Sequence, residues 1–417
     1  MHKPVHTFLE GALLAGAVAF GLALSQPVVA QESGSAAEIP TYEGVDQLDN
    51  IQLTYSEFTS SVQSPQTAAF ADYVSKASKG KIQIQIFWSS SLMPTMEAPN
   101  GVASGLADMA TALPVYTPAD FPVTNWLNDL SNQFPAGQPY GKLVAGGANS
   151  EFHILNDDVR REYSEHGLHI LGASGGAAYD LMCNKPVSNL EEAKGKRVRS
   201  PNQAFAEEVT ALGMTPVPIV ITEVYEAYSR GILDCVILYP WGYNSFSLTG
   251  ISGEHYWVRV PLSGWMATLT LINKDKWEAL PEVAQRILVD AYTRFLEVDA
   301  EQTLAGTVAF GEAIRSGKVK PLDASEDMIA ALRKHQEQVT AGMAESAPAG
   351  VTDPQEAIDQ FMALMDKWRK IVADDLGFQP EPEAAEDVVD SWNRDYDFTA
   401  YQQRVAKELA AAYARTE

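Results

Sequence analysis

The sequence predicts an α/β fold shared between two lobes, on three observations. Strand-like and helix-like segments alternate from about residue 51 onward, the order that calls for a mostly parallel sheet with helices on both faces. At 417 residues, 46% hydrophobic and 20% charged, the chain can bury two cores rather than one. Two segments, "LMCNKPVSNLEEAKGKRV" and "LTLINKDKWEALPEVAQRI", each run strand, Asn-Lys, turn, helix, and read as two passages of the chain between lobes.

The elements follow in order. Residues 1–30 read as an export signal: Lys3 precedes "GALLAGAVAFGLAL", and the small residues of "VVA" close the segment at Ala30. Glu10 offsets Lys3, and the apolar run of 14 residues is short for a membrane span. The expectation is a soluble exported protein beginning near Gln31, followed by a small, polar linker over 31–49. "IQLTYSEF" then alternates as a strand does, "SPQTAAFADYVSKASKGK" has helical spacing at Phe70, Tyr73 and Val74 and stops at Gly80, and "IQIQIFW" alternates again. "APNGVASGLADMATAL" adds a helix ending near Gly105 and a strand over 109–113.

A second series opens at "GLHILGAS" and continues through the strands "YDLMCNKPV" and "KRVRSP", a helix over 204–212, and "TPVPIV". In "TEVYEAYSRGILDCVILYP", Thr222 is the expected helix cap, Glu223 lies in the first turn, and Gly231 stops the helix before a strand over 235–239. After Pro281 a long helical stretch runs to about Gly317, with breaks expected at Gly306 and Gly311. The chain closes with an amphipathic helix carrying Ile358, Phe361, Met362, Met365 and Val372 on one face, an acidic stretch, and a last helix to about Ala414.

Composition removes several functions. Thirty Lys and Arg against 54 Asp and Glu give a formal charge of -24, which leaves no basic face for a polyanion, so nucleic acid is not an expected partner. Cys183 and Cys235 are the two cysteines; in an oxidising compartment they pair or stay as buried thiols, and the sequence leaves both open. "GASGG" at 172–176 fits the G-x-S-x-G pattern, making a serine hydrolase built on Ser174 the alternative function. A nucleophile elbow needs a helix straight after its serine, whereas "AAYDLMCNKPV" reads as strand; His255 and His335 are the histidines such a site would draw on. His166 and His169 have a spacing that could share a metal, but no further Cys or His accompanies them, so they read as surface histidines. No P-loop, dinucleotide fingerprint or repeat is present, and no cofactor or metal is expected.

The charge that is unusual for so acidic a chain lies in "KGKRVRSPNQ", with Lys194, Lys196, Arg197 and Arg199 within six positions. Three read as solvated. Arg199 stands at the carboxyl end of the predicted strand, where open α/β sheets bind ligands.

Taken together, "IQLTYSEFTSS", "CNKPVSNLEEAKGKRVRSPN", "LGMTPVPIVITEVYEAYSRGILDCV" and "LINKDKWEALPEVAQ" resemble the substrate-binding subunit of tripartite ATP-independent periplasmic (TRAP) transporters, the DctP family. The likeness runs from about Ile51 to about Gly342. It implies a two-lobed periplasmic binding protein (type II-like), with mixed sheets flanked by helices and a long helix spanning the lobes. It implies no catalysis, a small organic acid as ligand, and TRAP membrane permease subunits as partners. The expected division is lobe I over 31–176 and 264–303, lobe II over 177–263 and 304–350, and a C-terminal helical extension over 351–417, whose helices are the candidate surface for a homodimer.

The resemblance also assigns residues. "RVRSP" places Arg199 where relatives carry an arginine that pairs with the ligand carboxylate, a task suited to a planar guanidinium. Many relatives have a second arginine where this chain has Tyr179. Where relatives often read Asp-Gly-x-Glu-Asn, this chain reads Asp234, Cys235, Val236, Ile237, Leu238, followed by Tyr239, Trp241 and Tyr243. A pocket that loses polar contacts and gains aromatic ones favours a ligand with one carboxylate and an apolar or aromatic body. Asn202, Phe58 and Trp88 complete the expected ligand-binding set, with core packing as the alternative for each aromatic residue.

Overall fold

The computed structural model describes residues 39–382 and 384–416; the expected export segment, residues 1–30, lies outside them. Among the described residues no helix is long and apolar enough to cross a membrane. Two sheets organise the chain. The first holds β1 (Ile51–Ser56), β2 (Ile82–Phe87), β3 (Met109–Ala112), β4 (Leu168–Gly176) and β10 (Trp265–Asn273) in the order β2-β1-β3-β10-β4. The second holds β5 (Tyr179–Cys183), β6 (Arg197–Arg199), β7 (Thr215–Val217), β8 (Cys235–Leu238), β9 (His255–Leu262) and β11 (Val319–Asp323) in the order β11-β9-β5-β8-β6-β7.

Both sheets are mixed. β1 pairs in parallel with β2 and β3, and β6 with β7 and β8, as strand-helix-strand units require. The strands that enter from the other lobe run against their neighbours: β10 is antiparallel to β3 and β4, and β5 to β8 and β9. The chain leaves the first sheet after Gly176 and returns to it at Trp265. Cys183 and Cys235 face each other across β5 and β8 and form a disulfide.

Helix Glu282–Arg315 spans both lobes, packing on helix Pro65–Ala77 beside the first sheet and on the short helix Pro240–Ser245 beside the second. The expected breaks at Gly306 and Gly311 do not occur. Gly306 is where Trp241 presses on the helix, since a Cβ there would lie 2.4 Å from Trp241 Cδ1. At Gly311 the neighbours are Trp392 and Val389. Small residues here serve close approach rather than interruption.

Three other expectations are corrected. The described part of the linker is packed, with Tyr42, Val45 and Leu48 buried and Tyr42 Oη donating to Asp290 Oδ2 at 2.7 Å. Thr222 does not cap a helix: it sits in a single 3-10 turn, Ile221–Glu223, and helix Val224–Ser229 has no side-chain cap. The C-terminal helices spend their apolar faces within the chain. Helix Pro354–Lys370 lays Phe361, Met365 and Trp368 against helix Tyr140–Leu155, and the last helix, Thr399–Tyr413, packs on that helix and on the long one. Buried Glu151 pins them, accepting from Lys367 at 2.8 Å, Trp368 Nε1 at 3.0 Å and Arg415 at 3.3 Å. The apolar stripe is core packing within the chain, and the expectation of a homodimer through these helices finds no support.

Candidate functional site

The parallel strands point their carboxyl ends at the crevice between the sheets, and the residues just past those ends line it. From the first lobe come Glu57, Phe58 and Thr59 after β1, Tyr116 after β3, and Ser174 at the end of β4; from the second come Arg199, Tyr239 and Trp241. The cavity between them offers about 110 Å³ to the centres of water molecules. One water needs roughly 10–15 Å³ on that measure, so the space suits a small organic molecule.

Arg199 ends β6 and is 1% exposed. Its Nε donates to Ile219 O at 3.1 Å, Nη1 to Ile237 O at 3.2 Å and Nη2 to Tyr116 Oη at 3.3 Å. These are neutral partners, and no carboxylate pairs with it among the described residues. A guanidinium has five N–H donors, so donors remain for a further acceptor, and a buried charge without a counter-ion is costly. Tyr116 belongs to the first lobe, so its bond to Arg199 crosses the crevice; its hydroxyl also accepts from Ile221 N at 3.2 Å. Burial pushes the Tyr116 phenol upward, with the Arg199 charge pulling the other way.

Aromatic rings form the second lobe's wall in a row: Tyr179 stacks on Phe205 (5.3 Å between centroids) and meets Tyr239 (5.1 Å), Tyr239 stacks on Trp241 (5.5 Å), and Trp241 meets Phe246 edge-on (5.8 Å). Trp265 faces Tyr116 at 5.7 Å from the other side. The indole Nε1 atoms of Trp241 and Trp265 are buried without a hydrogen-bond partner. Glu57 is buried and accepts from the hydroxyls of Thr59 at 3.0 Å, Thr67 at 2.9 Å and Thr111 at 2.6 Å. Burial raises its carboxyl, which those hydroxyls partly offset. Lys142 Nζ lies 2.5 Å from Asp299 of the long helix and donates to Gly175 O at 2.8 Å.

Of the residues expected at the site, Arg199, Tyr179, Tyr239, Trp241 and Phe58 line this cavity. Asn202 does not: its Oδ1 caps helix Gln203–Ala211 through Phe205 N at 3.0 Å. Trp88, just past β2, also lies away from the lining, because β2 is the edge strand of its sheet. Tyr243 is core, its hydroxyl donating to Asp180 O at 2.7 Å. Arg197 is exposed, its Nε and Nη2 each 2.9 Å from the Asp234 carboxylate. Glu57, Tyr116, Lys142, Trp265 and Asp299 were missed. Glu57 had a signal, a charged residue directly after an alternating strand; Lys142 and Asp299 lie on helices and gave none.

The hydrolase reading fails on local geometry. Gly172–Gly176 are strand residues of β4, no helix follows Ser174, and Gly172 sits against the Tyr292 ring. His255 is tied to Tyr228 Oη and Ile251 O inside the second lobe, and neither His255 nor His335 lines the cavity. His169 stacks on Trp277 at 4.2 Å rather than standing free at the surface, while His166 is exposed.

Residues 55–347 match the family model described as bacterial extracellular solute-binding protein, family 7 (DctP). The chain belongs to this family. Among its relatives, this family 7 member is 24% identical to the ectoine-binding periplasmic protein TeaA of Halomonas elongata over 328 residues, 76% of this chain and 89% of that one. Its fold is similar to that of a marine-metagenome TRAP solute binding protein specific for aromatic acid ligands, in complex with 3-hydroxybenzoate (TM-score 0.64, 19% identity, covering 77% of this chain and 99% of the other). It is equally similar to a pyroglutamate-specific TRAP solute binding protein from a marine metagenome (TM-score 0.63, 19% identity, 76% and 100% covered). The C-terminal extension lies beyond the family match.

Proposed function

We propose that this family 7 protein is the periplasmic solute receptor of a TRAP transporter, exported by a cleaved N-terminal signal, and that it captures a small monocarboxylate with an apolar or aromatic body. The observation that carries the reading is Arg199: a buried guanidinium at the crevice, held by neutral acceptors and lacking a counter-ion. An incoming carboxylate supplies that missing charge through two oxygens matched to the planar fork. The row Tyr179, Tyr239, Trp241, Phe246 receives the ligand body, in keeping with the aromatic and cyclic acids named for the similar structures.

Function here is a population shift rather than a reaction. A ligand that touches Arg199 in one lobe and the Phe58 and Trp265 side of the other has more contacts when the lobes are together, and so favours the closed form. The membrane permease subunits recognise that form and take up the ligand. A thermal-shift screen of the mature protein against organic acids tests this. Stabilisation by one or more monocarboxylates recovered intact is the expected result, through linkage of binding to folding. A ligand consumed during the assay, or no response to any carboxylate, contradicts it.

A further inference from the structure

The cavity lining contains two cations among the described residues, Arg199 and Lys142, and they are not equivalent. Arg199 has neutral partners only. Lys142 Nζ is 2.5 Å from Asp299 Oδ2, with side-chain exposures of 7% and 13%; the contact is a close ion pair without an aligned hydrogen bond to that oxygen, and the opposite charges offset each other where little water screens them. Its ammonium is further occupied by Gly175 O. The two partners come from different elements, Lys142 from helix Tyr140–Leu155 of the first lobe and Asp299 from the long helix, so the pair is a product of the tertiary fold. Glu57, in the same first-lobe wall, is a second acidic group, its oxygens already accepting from Thr59, Thr67 and Thr111, so it offers a second carboxylate no donor.

We propose that Asp299 is a specificity-determining residue: by neutralising Lys142 it leaves the cavity one usable positive site, so that the receptor accepts monocarboxylates and refuses dicarboxylates. This rests on the reading that Arg199 holds the ligand carboxylate. A second carboxylate reaching the first-lobe wall meets Asp299 and Glu57, and can claim Lys142 only by displacing Asp299. A neutral hydroxyl or carbonyl at that end pays no such penalty and can accept from the ammonium.

The test compares matched probes that differ in one group: 3-hydroxybenzoate against benzene-1,3-dicarboxylate, and succinamate against succinate, measured by titration calorimetry on the purified protein. The wild type is expected to prefer the monocarboxylate of whichever pair it binds. Asp299→Asn, which frees Lys142 while keeping the volume, is expected to move the dicarboxylate-to-monocarboxylate affinity ratio by about 10-fold or more towards the dicarboxylate. Lys142→Met combined with Asp299→Leu removes both charges, and is expected to leave that ratio as in the wild type. If Asp299→Asn does not fold, Lys142→Gln gives the opposite imbalance and is expected to weaken monocarboxylate binding about 10-fold. An unchanged ratio in Asp299→Asn, an equal gain in the double variant, or a wild type that binds the dicarboxylate as tightly overturns the proposal. Arg199→Ala separates the two readings: loss of monocarboxylate binding there with no ratio change in Asp299→Asn leaves the receptor standing and removes only the role of Asp299. Failure of the wild type to bind either monocarboxylate overturns the proposal, and the receptor reading is then decided by the thermal-shift screen.

Discussion

At the scale of single residues, the proposed ligand choice rests on which side chains share the crevice with Arg199. Tyr179 is the informative neighbour. It lies between Phe205 and Tyr239, and burial raises its phenol while the Arg199 charge pulls it back, so the two groups feel each other. Tyr179→Arg adds a second guanidinium, as many relatives have there. The variant is expected to melt lower, because the aromatic stacking is lost and like charges adjoin, and to bind diacids better relative to monoacids. A ligand profile identical to the wild type in calorimetry contradicts a place for Tyr179 at the site. The place of Arg199 beside the crevice was legible in the sequence because, of the basic residues in its run, it alone ended the predicted strand and matched the arginine position of the family it resembles. Asn202 falls outside the cavity lining because a polar residue before a helix serves equally well as its cap, and its Oδ1 accepts from Phe205 N.

At the scale of elements, the strand-helix alternation was legible because its periods are local properties of the chain. The long helix was legible as a helical stretch, but its continuity was not. Glycine costs helix stability in isolation, and the partner that makes it necessary, Trp241, is remote in sequence. Gly306→Ala puts both effects in one substitution. Helix propensity favours alanine by up to about 1 kcal/mol, while a Cβ 2.4 Å from Trp241 Cδ1 overpacks the contact, at a cost of about 1–3 kcal/mol. Overpacking is the larger effect, so chemical denaturation should show a destabilised protein, and ligand affinity should fall because Trp241 is a wall of the cavity. A more stable variant with unchanged binding contradicts this packing account. The parallel part of each sheet was likewise readable; the antiparallel strands β5 and β10 were not, since their direction follows from lobe crossings that no local pattern encodes.

At the scale of the molecule, the two lobes meet at a seam where carboxyls are crowded. Glu208, buried on helix Gln203–Ala211, accepts from Ser263 N and Oγ at the second lobe crossing and from Gln336 Nε2 at 2.7 Å. Burial pushes its carboxyl up to about 7, and Asp129 of the first lobe is raised to about 7 by burial and by the nearby Glu207 and Glu208 charges. A carboxyl raised on folding contributes stability that is complete below its unfolded value, near 4.5, and is lost as pH rises through about 7. For Glu208 that loss is about 3 kcal/mol by pH 8, on the order of two and a half pKa units. Glu208→Gln cannot ionise, so the melting temperature of the variant relative to the wild type should rise as pH goes from about 4.5 to about 8. Taking the difference cancels the buried histidines, His153 among them, whose lowered values act in the opposite sense. A gap that stays constant over that range contradicts the seam as a source of pH dependence.

At the same scale lies the proposed event itself, an anion drawn between two lobes by one guanidinium that has neutral partners only. The most direct measurement is titration calorimetry of Arg199→Ala beside the wild type, using a monocarboxylate found in the thermal-shift screen, with a melting curve to show that the variant is folded. Removing the partner of a desolvated carboxylate is expected to weaken binding by about 2–5 kcal/mol. Affinity within a factor of about two of the wild type, in a folded variant, would contradict the account.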